Sequence, residues 1–239
     1  MSKGKNRQNQ ARTTSRNVIT ATNAQSPISE QYRVVRTNIQ FSMIDKALKT
    51  LVCTSATPSE GKSTTIVNLA VTFAQQGHQV LLVDADLRKP VVHEMLGVSN
   101  RFGLTSLITK RATLESAVVE APRVSNLYVL PAGAIPPNPS ELLGSQTMAD
   151  LMMDFSRKFD VVLFDTPPVL AVADAQIIGN RCDGTLLVVK SQKVEKKELV
   201  RAKELLDQAN VNVIGTVLNE VHPKEMSHSG YYGYGYSQS

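Results

Sequence analysis

Ala56-Thr57-Pro58-Ser59-Glu60-Gly61-Lys62-Ser63-Thr64 follows the apolar run Thr50–Ser55 and opens a helical stretch over 62–76. It matches the phosphate-loop pattern G-x-x-x-x-G-K-[ST], with Ala56 standing at the first glycine. Strand, loop and helix N-terminus in that order build an anion cradle. Successive backbone N–H groups converge on phosphate oxygens, and the helix dipole favours negative charge at the same place. Gly61 permits close backbone approach, Lys62 reaches the outer phosphates, and the Ser63 hydroxyl is suited to ligate Mg²⁺. Ser59, Glu60 and Thr64 complete the segment expected around ATP. A chance Gly-Lys-Ser turn has no reason to sit between a strand and a helix, so the context favours a nucleotide.

Two later runs end alike, as four apolar residues and then an acid: Val80–Asp84 and Val161–Asp165. In open α/β sheets ligands bind beyond the carboxyl ends of the strands, which places both acids near the loop. Asp165 reads as the acid that holds Mg²⁺ through a water. Asp84 is followed two residues on by Asp86, and paired acids there repel unless a cation offsets them. Further strand-like runs lie at Leu127–Leu130, Gly184–Lys190 and 211–218. Helical stretches are expected over 140–158, 174–180 and 194–210, and from the Ser26-Pro27 cap through Met43. Short, continuously apolar strands between helices predict a single-domain α/β fold, a P-loop NTPase with a mostly parallel sheet flanked by helices on both faces.

The 239 residues, 42% of them hydrophobic, suffice for one core of that kind. The net charge of +5 resides in Lys3, Lys5, Arg7, Arg12 and Arg16, because residues 1–29 contain no acid. The body beyond is neutral, so no nucleic-acid partner is expected. Composition divides the chain into a disordered basic leader over 1–25, a P-loop domain over 26–222 and a flexible Tyr-rich tail over 223–239. Cys53 and Cys182 read as two reduced thiols, and no apolar run approaches the roughly 20 residues that span a bilayer. The protein is therefore expected in the cytoplasm, with at most peripheral membrane contact. The tail holds Tyr231, Tyr232, Tyr234 and Tyr236, four of the six tyrosines. Alone, it reads equally as a low-complexity Gly-Tyr tail or as a phosphoacceptor cluster. Its 17 residues give an r.m.s. reach of roughly 23 Å.

Taken together, Ala56–Thr64, Leu82-Val-Asp84-Ala-Asp86-Leu-Arg88-Lys-Pro90 and Phe164-Asp165-Thr-Pro-Pro168 resemble the bacterial tyrosine kinases (BY-kinases) of capsule and exopolysaccharide operons. The second segment is similar to their extra A-prime Walker motif. Ile135-Pro-Pro-Asn-Pro-Ser-Glu-Leu-Leu143 and Ala171-Val-Ala-Asp174-Ala also resemble stretches of that family, and the likeness runs from about residue 29 to 219. It implies phosphoryl transfer from ATP to protein tyrosine on a P-loop fold. By resemblance, Lys62 and Ser63 hold phosphates and Mg²⁺, and Asp86 and Asp165 position the metal. Asp84 is the candidate acceptor of the tyrosine proton, although Asp84 and Asp86 could exchange roles. Asn219, after the last strand, corresponds to an adenine contact of related ATPases. Beside such a site the tail tyrosines read as phosphoacceptors.

Glu30, Arg33 and Arg36 share a helical face about 120° wide. They resemble the ExxRxxR motif through which BY-kinases close into rings such as octamers, bringing each tail to the next active site. The family further implies a separate transmembrane adaptor that activates the kinase at the inner face of the cell membrane, a cognate tyrosine phosphatase and other protein substrates. The rival reading is a partitioning or septum-positioning ATPase, a switch without kinase activity. Those ATPases carry an extra Lys near the start of the loop, where this chain has Thr57, and they lack a terminal tyrosine cluster.

Overall fold

The computed structural model describes residues 18–43 and 47–221. The tail tyrosines and residues 1–17 of the expected leader lie outside the described residues. The sheet contains β1 (Thr50–Ser55), β2 (Val80–Asp84), β3 (Val119–Glu120), β4 (Leu127–Leu130), β5 (Val161–Asp165), β6 (Gly184–Lys190) and β7 (Val213–Asn219), in spatial order β3-β4-β2-β5-β1-β6-β7. Every pairing is parallel except β3 with β4. Every residue of β1, β2 and β5 is buried, which is why these strands read as unbroken apolar runs rather than alternating ones.

Alternate strand residues serve two cores. Leu51, Cys53, Leu82, Leu163, Leu186 and Val188 face α1 (Ile19–Thr22), α2 (Pro27–Ser42) and α3 (Lys62–Gln75). Helix α4 (Val92–Leu96) follows β2 and packs Val92, Met95 and Leu96 into that first core, whereas Val52, Leu81, Val83, Val162 and Phe164 face the other layer with the short helices α5 (Leu104–Ile108) and α6 (Leu114–Ala117). That second layer also contains α7 (Pro139–Gly144), α8 (Gln146–Lys158) and α9 (Asp174–Gly179), while α10 (Lys196–Gln208) covers Leu187 and Val189 of β6. Residues 65–74 of α3 are all buried, so this helix is enclosed between the sheet and the α1–α2 pair.

The structure departs from the sequence reading in three places. The helix expected over 140–158 is two, because Ser145 is extended (φ −66°, ψ 158°) and its Oγ accepts the Met148 N–H, capping α8. The leader does not run to residue 25. Val18 is buried in the core, and Thr20 donates through both its N–H and its hydroxyl to Asn68 Oδ1 of α3, at 3.1 and 2.8 Å. Strand β3 and helices α4 to α6 were not foreseen; at two to five residues each, they fall below what periodicity resolves.

This strand order positions the site. β5 lies between β1 and β2, so the loop after β1 and the acids ending β2 and β5 come together at one carboxyl edge. In register, Asp165 is paired with both Asp84 and Cys53.

Candidate functional site

The loop between β1 and α3 turns through two left-handed residues, Ser59 (φ 63°) and Gly61 (φ 90°). Ala56 has no positive φ and is fully buried against Val169 and Leu187, so a side chain fits where the general pattern has glycine. At Gly61 no side chain fits. A Cβ there would stand 2.1 Å from Asn219 Nδ2, and the backbone is left-handed besides.

Glu60 gives the loop its shape. Its side chain is buried, with Oε1 accepting the Thr57 N–H and hydroxyl and Oε2 accepting the Lys190 N–H at 3.2 Å. Lys193 Nζ donates to the carbonyls of Pro58 and Ser59. Asn219 Nδ2 donates to the Glu60 carbonyl at 2.9 Å. The ends of β6 and β7 therefore brace the loop from behind, and Thr57 belongs to that brace. The sequence reading placed Glu60 and Asn219 at the nucleotide; here both bond to the loop itself.

Lys62 Nζ lies 2.9 Å from Asp86 Oδ2, 3.4 Å from Asp165 Oδ1 and 3.2 Å from Ser63 Oγ. Burial alone would lower the ammonium pKa, but Asp165 and Asp86 outweigh it and hold Lys62 above its ordinary value. Asp84 is wholly buried, and its Oδ2 accepts the Val92 N–H at 3.1 Å. Burial, reinforced by the neighbouring Asp165 charge, pushes its carboxyl well above the usual range. Burial also raises Asp165, against the opposing pull of Lys62 and Ser63. Asp86 Oδ1 accepts the Lys89 N–H at 3.0 Å, fixing the turn that follows β2.

The residues fit a phosphate-bound Mg²⁺. Asp165 Oδ2 and Asp84 Oδ1 are buried without a hydrogen-bond partner among the described residues, and such oxygens suit a metal or its water. No trio of acid, His or Cys side chains among the described residues is arranged to hold a metal unaided. Ser63, Asp86 and Asp165 are the side chains that would hold one, with phosphate oxygens and water completing its shell. Lys62 reaches both of these acids.

Three contributors were missed by sequence reading. Arg88 Nε and Nη2 donate to Asp174 Oδ2 and Oδ1 at 2.9 and 3.1 Å, and Ser140 Oγ donates to Asp174 Oδ1 at 2.6 Å. Arg88 and Ser140 were visible only as members of quoted motifs; no local signal pairs residues 52 and 86 positions apart.

The expected interface motif divides. Glu30 and Arg33 pair on the surface of α2 at 2.6 Å. Arg36 turns inward instead and is buried, and its Nη1 donates to the Thr72 carbonyl at 2.8 Å. That carbonyl lies in the last turn of α3, where the Gln76 N–H bonds to Phe73 instead. Burial lowers the Arg36 pKa.

Comparison with known proteins agrees with this geometry. A family model described as ParA, NUBPL iron-transfer P-loop NTPase, matches residues 47–231. Tyrosine-protein kinase YwqD of Bacillus subtilis (strain 168) is 49% identical over 227 residues, covering 95% of each chain. The solved chimerical protein CapA2B2 superposes with a TM-score of 0.83 at 38% identity, over 86% of this chain and 90% of its own. The kinase domain of the Escherichia coli tyrosine kinase ETK gives 0.83 at 34% identity, over 92% and 84%. A P-loop site with paired acids at the ends of β2 and β5, in a chain this similar to such relatives over its length, leads to one assignment: the chain belongs to the ParA-type P-loop NTPases and, among them, to the bacterial tyrosine-protein kinases.

Proposed function

We propose that this protein is an ATP-dependent protein-tyrosine kinase that phosphorylates its own C-terminal tyrosine cluster between subunits and thereby regulates capsular or exopolysaccharide synthesis. The observation that carries the reading is the meeting of Lys62, Asp84, Asp86 and Asp165 beside a left-handed P-loop turn, in a chain 49% identical to a tyrosine kinase over 95% of its length.

In this mechanism the loop N–H groups and Lys62 cradle the ATP phosphates, and Ser63, Asp86 and Asp165 are the side chains that would hold Mg²⁺. Bound Mg²⁺ supplies charge neutralisation on the phosphate oxygens. Lys62 then moves from its acids to the phosphates. Asp84, with Oδ2 held by the Val92 N–H and Oδ1 without a hydrogen-bond partner among the described residues, accepts the tyrosine proton, a role Asp86 could exchange with it. Phosphoryl transfer depends mainly on positioning and charge stabilisation, so losing Lys62 costs more than losing Asp84.

Acceptors are Tyr231, Tyr232, Tyr234 and Tyr236 of a neighbouring subunit, presented by a ring. With Arg36 committed inside the subunit, the ring contact on α2 falls to Glu30, Arg33 and the exposed Val34 and Phe41. Each phosphotyrosine adds about −1.5 to −2 charges, which would loosen such a ring. No helix among the described residues is long and apolar enough to cross a membrane. Activation comes from a separate transmembrane adaptor at the inner membrane face. A cognate phosphatase would reset the tail.

The test is phosphopeptide mass spectrometry after incubation with ATP and Mg²⁺, with the adaptor's cytoplasmic segment present. Phosphate on residues 231–236 is the expected result. ATP hydrolysis with an unmodified tail would favour the switch ATPase instead.

A further inference from the structure

Asp174 is a fully buried carboxylate, and it takes three hydrogen bonds. Two come from the guanidinium fork of Arg88 and one from Ser140, while Arg88 Nη2 also donates to Ser140 Oγ at 2.9 Å. Three separate segments meet there: the turn after β2, the start of α7 and the start of α9. The turn is short and anchored at several points. The Ala85 N–H bonds to the Asp165 carbonyl at 2.9 Å, Leu87 is fully buried, and the Lys89 N–H bonds to Asp86 Oδ1. Arg88 is two residues beyond Asp86, so the fork grips the same turn that presents Asp86 to Lys62.

Only the carboxylate of this pair is buried, the Arg88 side chain being 36% exposed, and such a pair adds little to stability. Its geometric value is greater, because a planar two-point fork fixes direction as well as distance. Asp86 and Asp165 share Lys62 Nζ, at 2.9 and 3.4 Å, and like charges drive such a turn outward unless something holds it. Lys62 holds it only until the phosphates draw Lys62 away.

We propose that Arg88, gripped by Asp174 and Ser140, is the positioning residue that keeps Asp86 aimed at the Mg²⁺ position when Lys62 leaves for the phosphates. The clamp then sets the Mg²⁺ requirement of nucleotide binding. This rests on reading the site as one for Mg²⁺ and a nucleoside triphosphate.

The test titrates Mg²⁺ against binding of a fluorescent ATP analogue, with a parallel titration in EDTA. The full chain is compared with Asp174→Asn, Ser140→Ala and Arg88→Lys. Arg88→Ala combined with Asp174→Asn removes both charges, which keeps the test open should a lone buried charge prevent folding. Affinity in EDTA should stay within about twofold, because the loop brace is untouched. The Mg²⁺ concentration at half-saturation should rise about tenfold or more in Asp174→Asn and in the double variant, as is usual when the groups orienting a metal ligand are lost. Arg88→Lys should shift the same way, since it keeps the charge but not the fork. Tyrosine phosphorylation should then recover at high Mg²⁺, with the ATP KM unchanged. Wild-type half-saturation in folded variants would overturn the clamp, as would a parallel loss of affinity in EDTA. If the unaltered chain bound nucleotide with no dependence on Mg²⁺, the reading of the site would fall, and the clamp with it.

Discussion

Replacing Lys62 with Met leaves Asp86 and Asp165 without their cation in a site where their side chains are 6% and 0% exposed. Removing one partner of a buried ion pair typically costs about 3–5 kcal/mol, because the remaining charge stays desolvated. Here the loss has an escape, since a carboxylate can take up a proton. Without Lys62, burial and the Asp86 charge act on Asp165 with only the Ser63 hydrogen bond opposing them, so its pKa rises further above the unfolded value. Between the two values the folded variant binds more protons than the folded parent, and its stability relative to the parent must fall as pH rises. Each additional bound proton is worth about 1.4 kcal/mol per pH unit across that window. Lys62→Met should therefore be least destabilised near pH 5 and most at pH 8. Urea unfolding of both proteins at pH 5, 6.5 and 8, in EDTA and without nucleotide, measures this. A deficit that is constant with pH, or that shrinks toward pH 8, would refute the claim that Lys62 neutralises these acids in the resting site.

Further consequences concern neighbouring residues. Gly61→Ala forces a Cβ to 2.1 Å from Asn219 Nδ2 at φ 90°. It should cost about 1–2 kcal/mol for the left-handed backbone and about 1 more for the displaced bond to Glu60, read as a lowered melting temperature with weakened nucleotide binding. Adding Asn219→Ala relieves the overlap but not the backbone cost, so the double variant should not return to the parental melting temperature. Asp84→Asn removes a buried acid whose folded pKa lies above its unfolded one. The parent loses stability as pH rises from about 4 through that folded pKa, and the variant should lose less and be the more stable of the two at pH 8, while tail phosphorylation falls. Glu30→Ala with Arg33→Ala should shift native mass spectra toward monomer while lowering the melting temperature only slightly, because the surface ion pair contributes little and only the Arg33 bond to the Ala24 carbonyl is lost from the fold.

Six of the seven strands, and the four charged residues that meet beside the loop, were legible because the same physics writes both. A strand covered on two faces must be apolar throughout, so the acid that ends Val80–Asp84 or Val161–Asp165 stands out as the point where the chain leaves the core. What the sequence hid depends on long-range partners. Thr20 sits in a polar stretch and is buried only because Asn68 meets it from α3. Arg36 looks like a surface cation until the Thr72 carbonyl claims it. Ser145 is an ordinary mid-helix residue by propensity, and it becomes a cap through its own backbone angles and its bond to Met148. Glu60 fits a loop that binds phosphate through backbone groups, and nothing local shows that its side chain ties Thr57 to Lys190.

The central claim is transfer of phosphate from ATP to the tail of another copy of the chain. The most direct measurement mixes full-length Lys62→Met, which supplies a tail but no transfer, with a chain truncated after residue 230, which supplies transfer but no tail. ATP, Mg²⁺ and the adaptor segment are added, and residues 231–236 of the Lys62 variant are examined by mass spectrometry. Phosphotyrosine there, absent when either protein is incubated alone, is the predicted result. An unmodified tail in the mixture, while full-length parent protein labels its own under the same conditions, would contradict transfer between subunits.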